Sequence, residues 1–124
     1  MAESKLTFRA LRGANLMRLP RFPGHNVKDG HCEDWTRSDW LEACVGELGE
    51  YANWSKKFRR GDITEEEFLA HARKEFADVV TYLDLLAAKL GIDLGQAVED
   101  KFNEVSNRIG VHIVLSGDAW VVLD

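Results

Sequence analysis

Apolar residues recur at helical spacing along most of the chain. Between Lys5 and Arg18, Leu6, Ala10, Leu11, Ala14 and Met17 share one face, and Pro20 and Pro23 then stop the helix. A second helix is predicted from an N-cap at Ser38 to about Arg59 or Arg60, on a stripe of Trp40, Leu41, Cys44, Val45, Leu48 and Tyr51. Gly61-Asp62 breaks it. A capping box, Thr64 with Glu67, restarts a helix that runs to Leu90, with room for a kink, and ends at Gly91. Its stripe is Phe76, Val79, Val80, Leu83, Leu86, Ala87 and Leu90. Asp93 caps a last helix, with Gln96 completing a box, and Leu94, Val98, Phe102, Val105 and Ile109 lie on one side before Gly110. Val111–Leu115 and Trp120–Leu123 are β-rich and separated by Ser-Gly-Asp-Ala, which reads as a hairpin. An isolated hairpin is marginal in water, so it must pack on the helices or on a second subunit.

The fold class expected is therefore all-α, an antiparallel helical bundle of about four helices with a short C-terminal β-hairpin. At 124 residues the chain is read as one domain: residues 1–37 an N-terminal helix and loop, 38–110 the core helices, 111–124 the hairpin tail. Residues 20–37, rich in Pro, Gly, Asn and Asp, form a loop long enough to suggest a function.

Composition narrows the classes. With 45% hydrophobic and 30% charged residues the chain is globular rather than disordered. A net charge of -5 argues against wholesale nucleic-acid binding. The acids concentrate beyond residue 40, since residues 1–40 hold seven Lys/Arg against five Asp/Glu. Cys32 and Cys44 make no disulfide framework, and Cys44 falls on an apolar stripe as a small core residue. No apolar run approaches the ~20 residues that span a bilayer, and MAESKLTFRALRG lacks the apolar region of a signal peptide. A cytoplasmic protein without a membrane partner is expected.

The stretch VGELGEYANW (Val45–Trp54) sets two glycines in a helix, at up to about 1 kcal/mol each, beside Glu47 and Glu50. On helical wheels both acids fall on one shoulder of the stripe, Glu50 further round. The next helix repeats the arrangement with Glu75 and Asp78. Two such helices packed antiparallel bring four carboxylates to one rim. They repel unless a cation sits among them, and a set of hard oxygen donors suits Mg²⁺ or Mn²⁺. The competing reading is a solvated helix face, as expected for Glu65, Glu66, Glu67 and Asp84. A di-iron bundle would need Glu-x-x-His pairs, and the chain has none. P-loop, GxSxG and HExxH motifs are likewise absent.

The runs GELGEYANWSKKFRRGD and KEFADVVTYLDLLAAKLGIDLGQAVEDKFNEVSNRIG resemble the MazG-like members of the all-α nucleoside triphosphate pyrophosphohydrolases, relatives of the all-α dUTPases and dCTP pyrophosphatases. The likeness covers roughly residues 38–110. Many members open the first motif with EExxE, whereas Gly46 here gives GExxE, as in the dCTP-pyrophosphatase-like and phage-type branches. The resemblance implies a homodimer or homotetramer, with Mg²⁺ held by Glu47, Glu50, Glu75 and Asp78. It implies hydrolysis of a (deoxy)nucleoside triphosphate to the monophosphate and pyrophosphate, with Glu47 and Glu50 as catalytic candidates. Tyr82 resembles a sugar- or base-contacting position, and Asn103 belongs to the KFN motif. Lys101 and Arg108 share a shoulder of the last helix and are candidates for phosphate. Trp54 is a candidate base-stacking residue, Lys57 with Lys56, Arg59 and Arg60 a phosphate clamp, and Trp35 with the 20–37 loop a cover for the base. The alternatives are a non-catalytic nucleotide-sensing or partner-binding helical protein, and a phosphoribosyl-ATP pyrophosphohydrolase.

Overall fold

Local side-chain chemistry starts each helix of the computed structural model, which describes residues 3–22 and 34–124. Helix α1 (Phe8–Arg18) is capped by Thr7, whose hydroxyl accepts from the Ala10 amide. A single 3-10 turn around Pro20 follows it. Helix α2 (Arg37–Arg59) starts at Thr36, two residues before the expected Ser38. The Thr36 hydroxyl accepts from the Asp39 amide, and Asp39 accepts from the Thr36 amide, so this box satisfies two donors that Ser38 would leave open. Helix α3 (Glu65–Lys89) begins at the predicted Thr64–Glu67 box and runs 25 residues as one continuous helix. Helix α4 (Leu94–Ile109) is capped by Asp93, but Gln96 turns outward to Glu99 and Asp100, so its box is half formed. Gly91 and Gly110, both at φ 70°, close α3 and α4 in the left-handed region that glycine enters without cost.

The helices α2 and α3 form the central antiparallel pair. Their seam is aromatic: Tyr51 meets Phe68 and Phe76, Phe58 stacks on Phe68, and Trp54 stacks on His71 with centroids 3.5 Å apart. Cys44 is buried as expected, and its thiol donates to the Val79 carbonyl. At one end, Trp40 (2% exposed) and Leu85 anchor a cluster with Leu19, Phe22, Trp35, Tyr82 and Leu86.

Helix α1 crosses α3 through a buried polar contact. Asp84, read from the sequence as solvated, is only 1% exposed. Arg12 Nε donates to both of its carboxylate oxygens at 3.1 and 3.2 Å, and Asn15 Nδ2 donates at 2.9 Å. Arg12 also reaches the Ile92 carbonyl at 2.8 Å. A carboxylate that accepts from a guanidinium and an amide is stable away from water. Wheel position alone misplaced it because α1 comes from a distant part of the chain.

The tail forms the predicted hairpin: β1 (Ile113–Ser116) pairs antiparallel with β2 (Ala119–Val122) around Gly117-Asp118. It rests on α4, where the Asn103 side chain pairs with both backbone groups of Leu115, at 2.9 and 2.8 Å, and Glu99 accepts from the Gly117 amide.

The helical stripes are only half covered. On α2 the residues turned to α3 are Trp40, Cys44, Glu47, Tyr51 and Trp54, while Leu41, Val45 and Leu48 remain exposed. On α3, Phe76, Val80 and Leu83 are exposed as well. One helix pairing covers one flank of a wide apolar stripe and leaves the other. Helix α4 touches α1, α3 and β1 but not α2, so among the described residues no further helix closes over the pair.

Candidate metal centre

Near the middle of the α2–α3 pair the seam changes from apolar to acidic. Glu47 enters from α2 and Glu75 and Asp78 from α3, the last two three residues apart and so neighbours on one helix surface. One carboxylate oxygen from each can be chosen so that all lie within 4.8 Å of one another. Glu50, one turn along α2, is exposed and lies outside this trio, although its charge is felt at Glu47. Three of the four expected acids thus converge.

Electrostatics mark the same point. The Glu47 carboxyl is pushed up to about 7, first because in its protonated form it hydrogen-bonds to Glu75, then because of burial, and then by the negative charges of Asp78, Glu75 and Glu50. Glu47 therefore holds a proton near neutrality to relieve crowding among like charges. A cation would relieve it equally. Glu75 Oε2 is buried and has no hydrogen-bond partner among the described residues. A buried carboxylate oxygen left without a donor is costly, and a bound cation would satisfy it. The donor set is all oxygen, the chemistry that Mg²⁺ or Mn²⁺ takes, and the three carboxylates lie close enough that small side-chain movements would bring them to one ion.

The remaining predicted site residues divide into two groups. Trp54 and Lys57 lie one and two turns beyond Glu50. The Lys57 ammonium sits 4.3 Å from the Trp54 ring centroid, and His71 stacks on the same indole. This stack borders the acids, because His71 is one turn before Glu75 on the same shoulder. His71 is not among the predicted site residues, although its i, i+4 spacing from Glu75 carried the signal. Tyr82, one turn beyond Asp78, is half-buried against Trp40 at the opposite end of the acidic patch. Trp35 packs against Trp40 there at a tilted angle, with centroids 4.6 Å apart, while residues 23–33 of the loop expected to cover a base lie outside the described residues.

The remaining candidates lie on α4. Lys101 pairs with Glu104 at 3.2 Å on an exposed surface, and Arg108 is exposed on the same helix. Asn103 spends its amide on Leu115, a structural contact that anchors the hairpin. The glycines of VGELGEYANW are also not packed: a Cβ at Gly46 or Gly49 would meet nothing within 4 Å.

Comparison with known proteins gives one relevant relative. The chain is 32% identical over 101 residues to mouse dCTP pyrophosphatase 1, a match covering 71% of this chain and 59% of the relative. The chain thus spans about three fifths of that protein's length. The likeness supports a distant relationship to the nucleotide pyrophosphohydrolases. No family model matches the chain, and no solved structure matches it.

Proposed function

We propose that this chain is a Mg²⁺-dependent nucleoside triphosphate pyrophosphohydrolase that converts a (deoxy)nucleoside triphosphate to the monophosphate and pyrophosphate. The observation that carries the reading is the Glu47–Glu75–Asp78 trio within 4.8 Å. The similarity to a dCTP pyrophosphatase supports the reaction class. A bound divalent ion would offset the triphosphate charge and make the attacked phosphorus more electrophilic. The chain's own residues do the rest. Glu47, Glu75 and Asp78 hold the ion. Glu50, exposed beside them and outside the trio, accepts the proton of the water that attacks the α-phosphorus as the bond to pyrophosphate breaks. Lys57, fixed over Trp54, offers its ammonium to phosphate oxygens, and Tyr82 borders the sugar or base.

Incubation of the purified protein with a panel of NTPs and dNTPs and Mg²⁺ tests this. Monophosphate and pyrophosphate in equal amounts are expected, with a loss of at least about a hundredfold in Glu50→Gln and Asp78→Asn. Orthophosphate as the first product, or full activity in both variants, would refute it.

A further inference from the structure

Of the four cations that end α2, one is fixed on an aromatic platform. Lys57 is half-buried, while Lys56, Arg59 and Arg60 are exposed. The Lys57 ammonium sits 4.3 Å from the Trp54 ring centroid. The His71 imidazole lies flat on the same indole, with centroids 3.5 Å apart and planes 5° from parallel. Arg60 instead pairs with Asp62 at 3.1 Å, away from the stack.

Direction and height place this ammonium. At 100° per residue Lys57 stands within about 20° of Glu50 on the α2 wheel, whereas Lys56 falls about 120° away and Arg59 about 180°. Helical side chains lean towards the helix N-terminus, and Lys57 does so, since it covers a residue three positions earlier. The ammonium therefore stands about one turn, roughly 6 Å, beyond Glu50 along the helix. At the opposite end of the acidic patch Trp40 meets Tyr82, with centroids 6.1 Å apart. From Tyr82 to His71 along α3 is about 16 Å. The seam thus runs from an aromatic end, past the carboxylates, to a single held cation.

We propose that Lys57 selects for three phosphates: it grips the γ-phosphate of a nucleoside triphosphate whose base lies at the Tyr82 end, and Trp54 and His71 are positioning residues that hold it there. This rests on the pyrophosphohydrolase reading above, in which the attacked α-phosphorus lies at Glu50. A cation one turn further along meets the far end of the phosphate chain and not the α-phosphate. A diphosphate anchored at the acids ends one phosphate short of it. The indole then serves Lys57 rather than a base. The imidazole braces the indole, and the indole holds the ammonium, removing the rotamer freedom that a surface lysine keeps. Without the stack Lys57 would be one more mobile cation at the end of α2, able to meet either chain length. Selectivity comes from fixing the charge, because a preorganised group spends less of its binding energy on ordering.

Calorimetry with Mn²⁺ and inorganic phosphates measures this without turnover. Tripolyphosphate should bind more tightly than pyrophosphate by roughly 10- to 100-fold, as expected for one added charge-assisted contact. Lys57→Met should remove most of that preference by weakening tripolyphosphate alone. Trp54→Leu and His71→Ala should erode it by roughly two- to fivefold, while Trp54→Phe, which keeps an aromatic face, should preserve it. Lys89→Met, the same loss of charge at the far end of α3, should change nothing. In turnover of the best substrate of the nucleotide panel, Lys57→Met should raise KM for the triphosphate by the same factor, with kcat within about twofold. Turnover of the matching diphosphate should be unaffected. Equal weakening of both inorganic phosphates in Lys57→Met, or a preference that this change leaves intact, would overturn the proposal. So would an unaltered preference in Trp54→Leu. Should that variant fail to fold, His71→Ala, which leaves the other aromatic contacts of the seam in place, carries the same test. Absence of turnover with every nucleotide would strike the pyrophosphohydrolase reading instead, and the calorimetric preference would still decide the role of Lys57.

Discussion

Proton and metal compete for Glu47, and the competition has a calculable size. The carboxyl is held up to about 7 by its hydrogen bond to Glu75, by burial and by three nearby negative charges. A divalent ion needs Glu47 ionised, so binding must expel that proton. At pH 6 about one copy in eleven has Glu47 ionised, and at pH 8 about ten in eleven, so apparent affinity should rise roughly tenfold, or about 1.4 kcal/mol. Titration calorimetry with Mn²⁺ alone at pH 6, 7 and 8 measures this. Repeating it in buffers of different ionisation enthalpy counts the protons, with close to one released per ion at pH 6. Glu47→Gln should bind weakly with little pH dependence. Affinity that stays level from pH 6 to 8, or an unchanged slope in Glu47→Gln, would refute the picture of one proton shared among crowded carboxylates.

Four further outcomes are expected. Glu47 binds its proton more tightly folded, at about 7, than unfolded, at about 4.3. Metal-free stability should therefore be fully present below about pH 4.3 and fall by about 1–2 kcal/mol as pH rises to 7, after allowance for solvent screening; urea denaturation with EDTA reads it, and Mg²⁺ should restore the loss. Removing the guanidinium in Arg12→Ala leaves the buried Asp84 carboxylate short of donors and should cost about 2–4 kcal/mol in the same assay. Asn103→Ala should release the hairpin, seen as faster hydrogen exchange at the Leu115 amide with α2 and α3 protection unchanged. Trp40→Ala, emptying the best-buried aromatic position, should destabilise by about 3–5 kcal/mol.

Much of the architecture was legible along the chain because its causes are local. The Thr64–Glu67 box, the glycines at 91 and 110 and the β-rich tail each act within a few residues, and helix ends and hairpin follow from them. Where two local signals compete, the reading slips by two residues: Thr36 takes the α2 cap from Ser38 because Asp39 reciprocates. The acid motif was equally readable, since ExxE and ExxD at fixed helical spacing put each pair on one shoulder whatever lies around them.

Contacts between distant segments were beyond such reading. Wheel position makes Asp84 a solvated acid, and only the arrival of α1 with Arg12 and Asn15, some 70 residues away in sequence, turns it into a buried anchor. The KFN asparagine is indistinguishable from a ligand until β1 folds back onto α4 and takes both ends of its amide. The sequence by itself determined which residues are apolar, which are acidic, and at what helical angle each stands, because these depend on the identity and spacing of neighbours. Tertiary structure decided which angles are filled: that Glu47 meets Glu75 and Asp78 while Glu50 stands apart, and that half of each apolar stripe stays uncovered. Those outcomes depend on how one helix is rotated against the next, and that rotation minimises the energy of the whole seam rather than of any one residue.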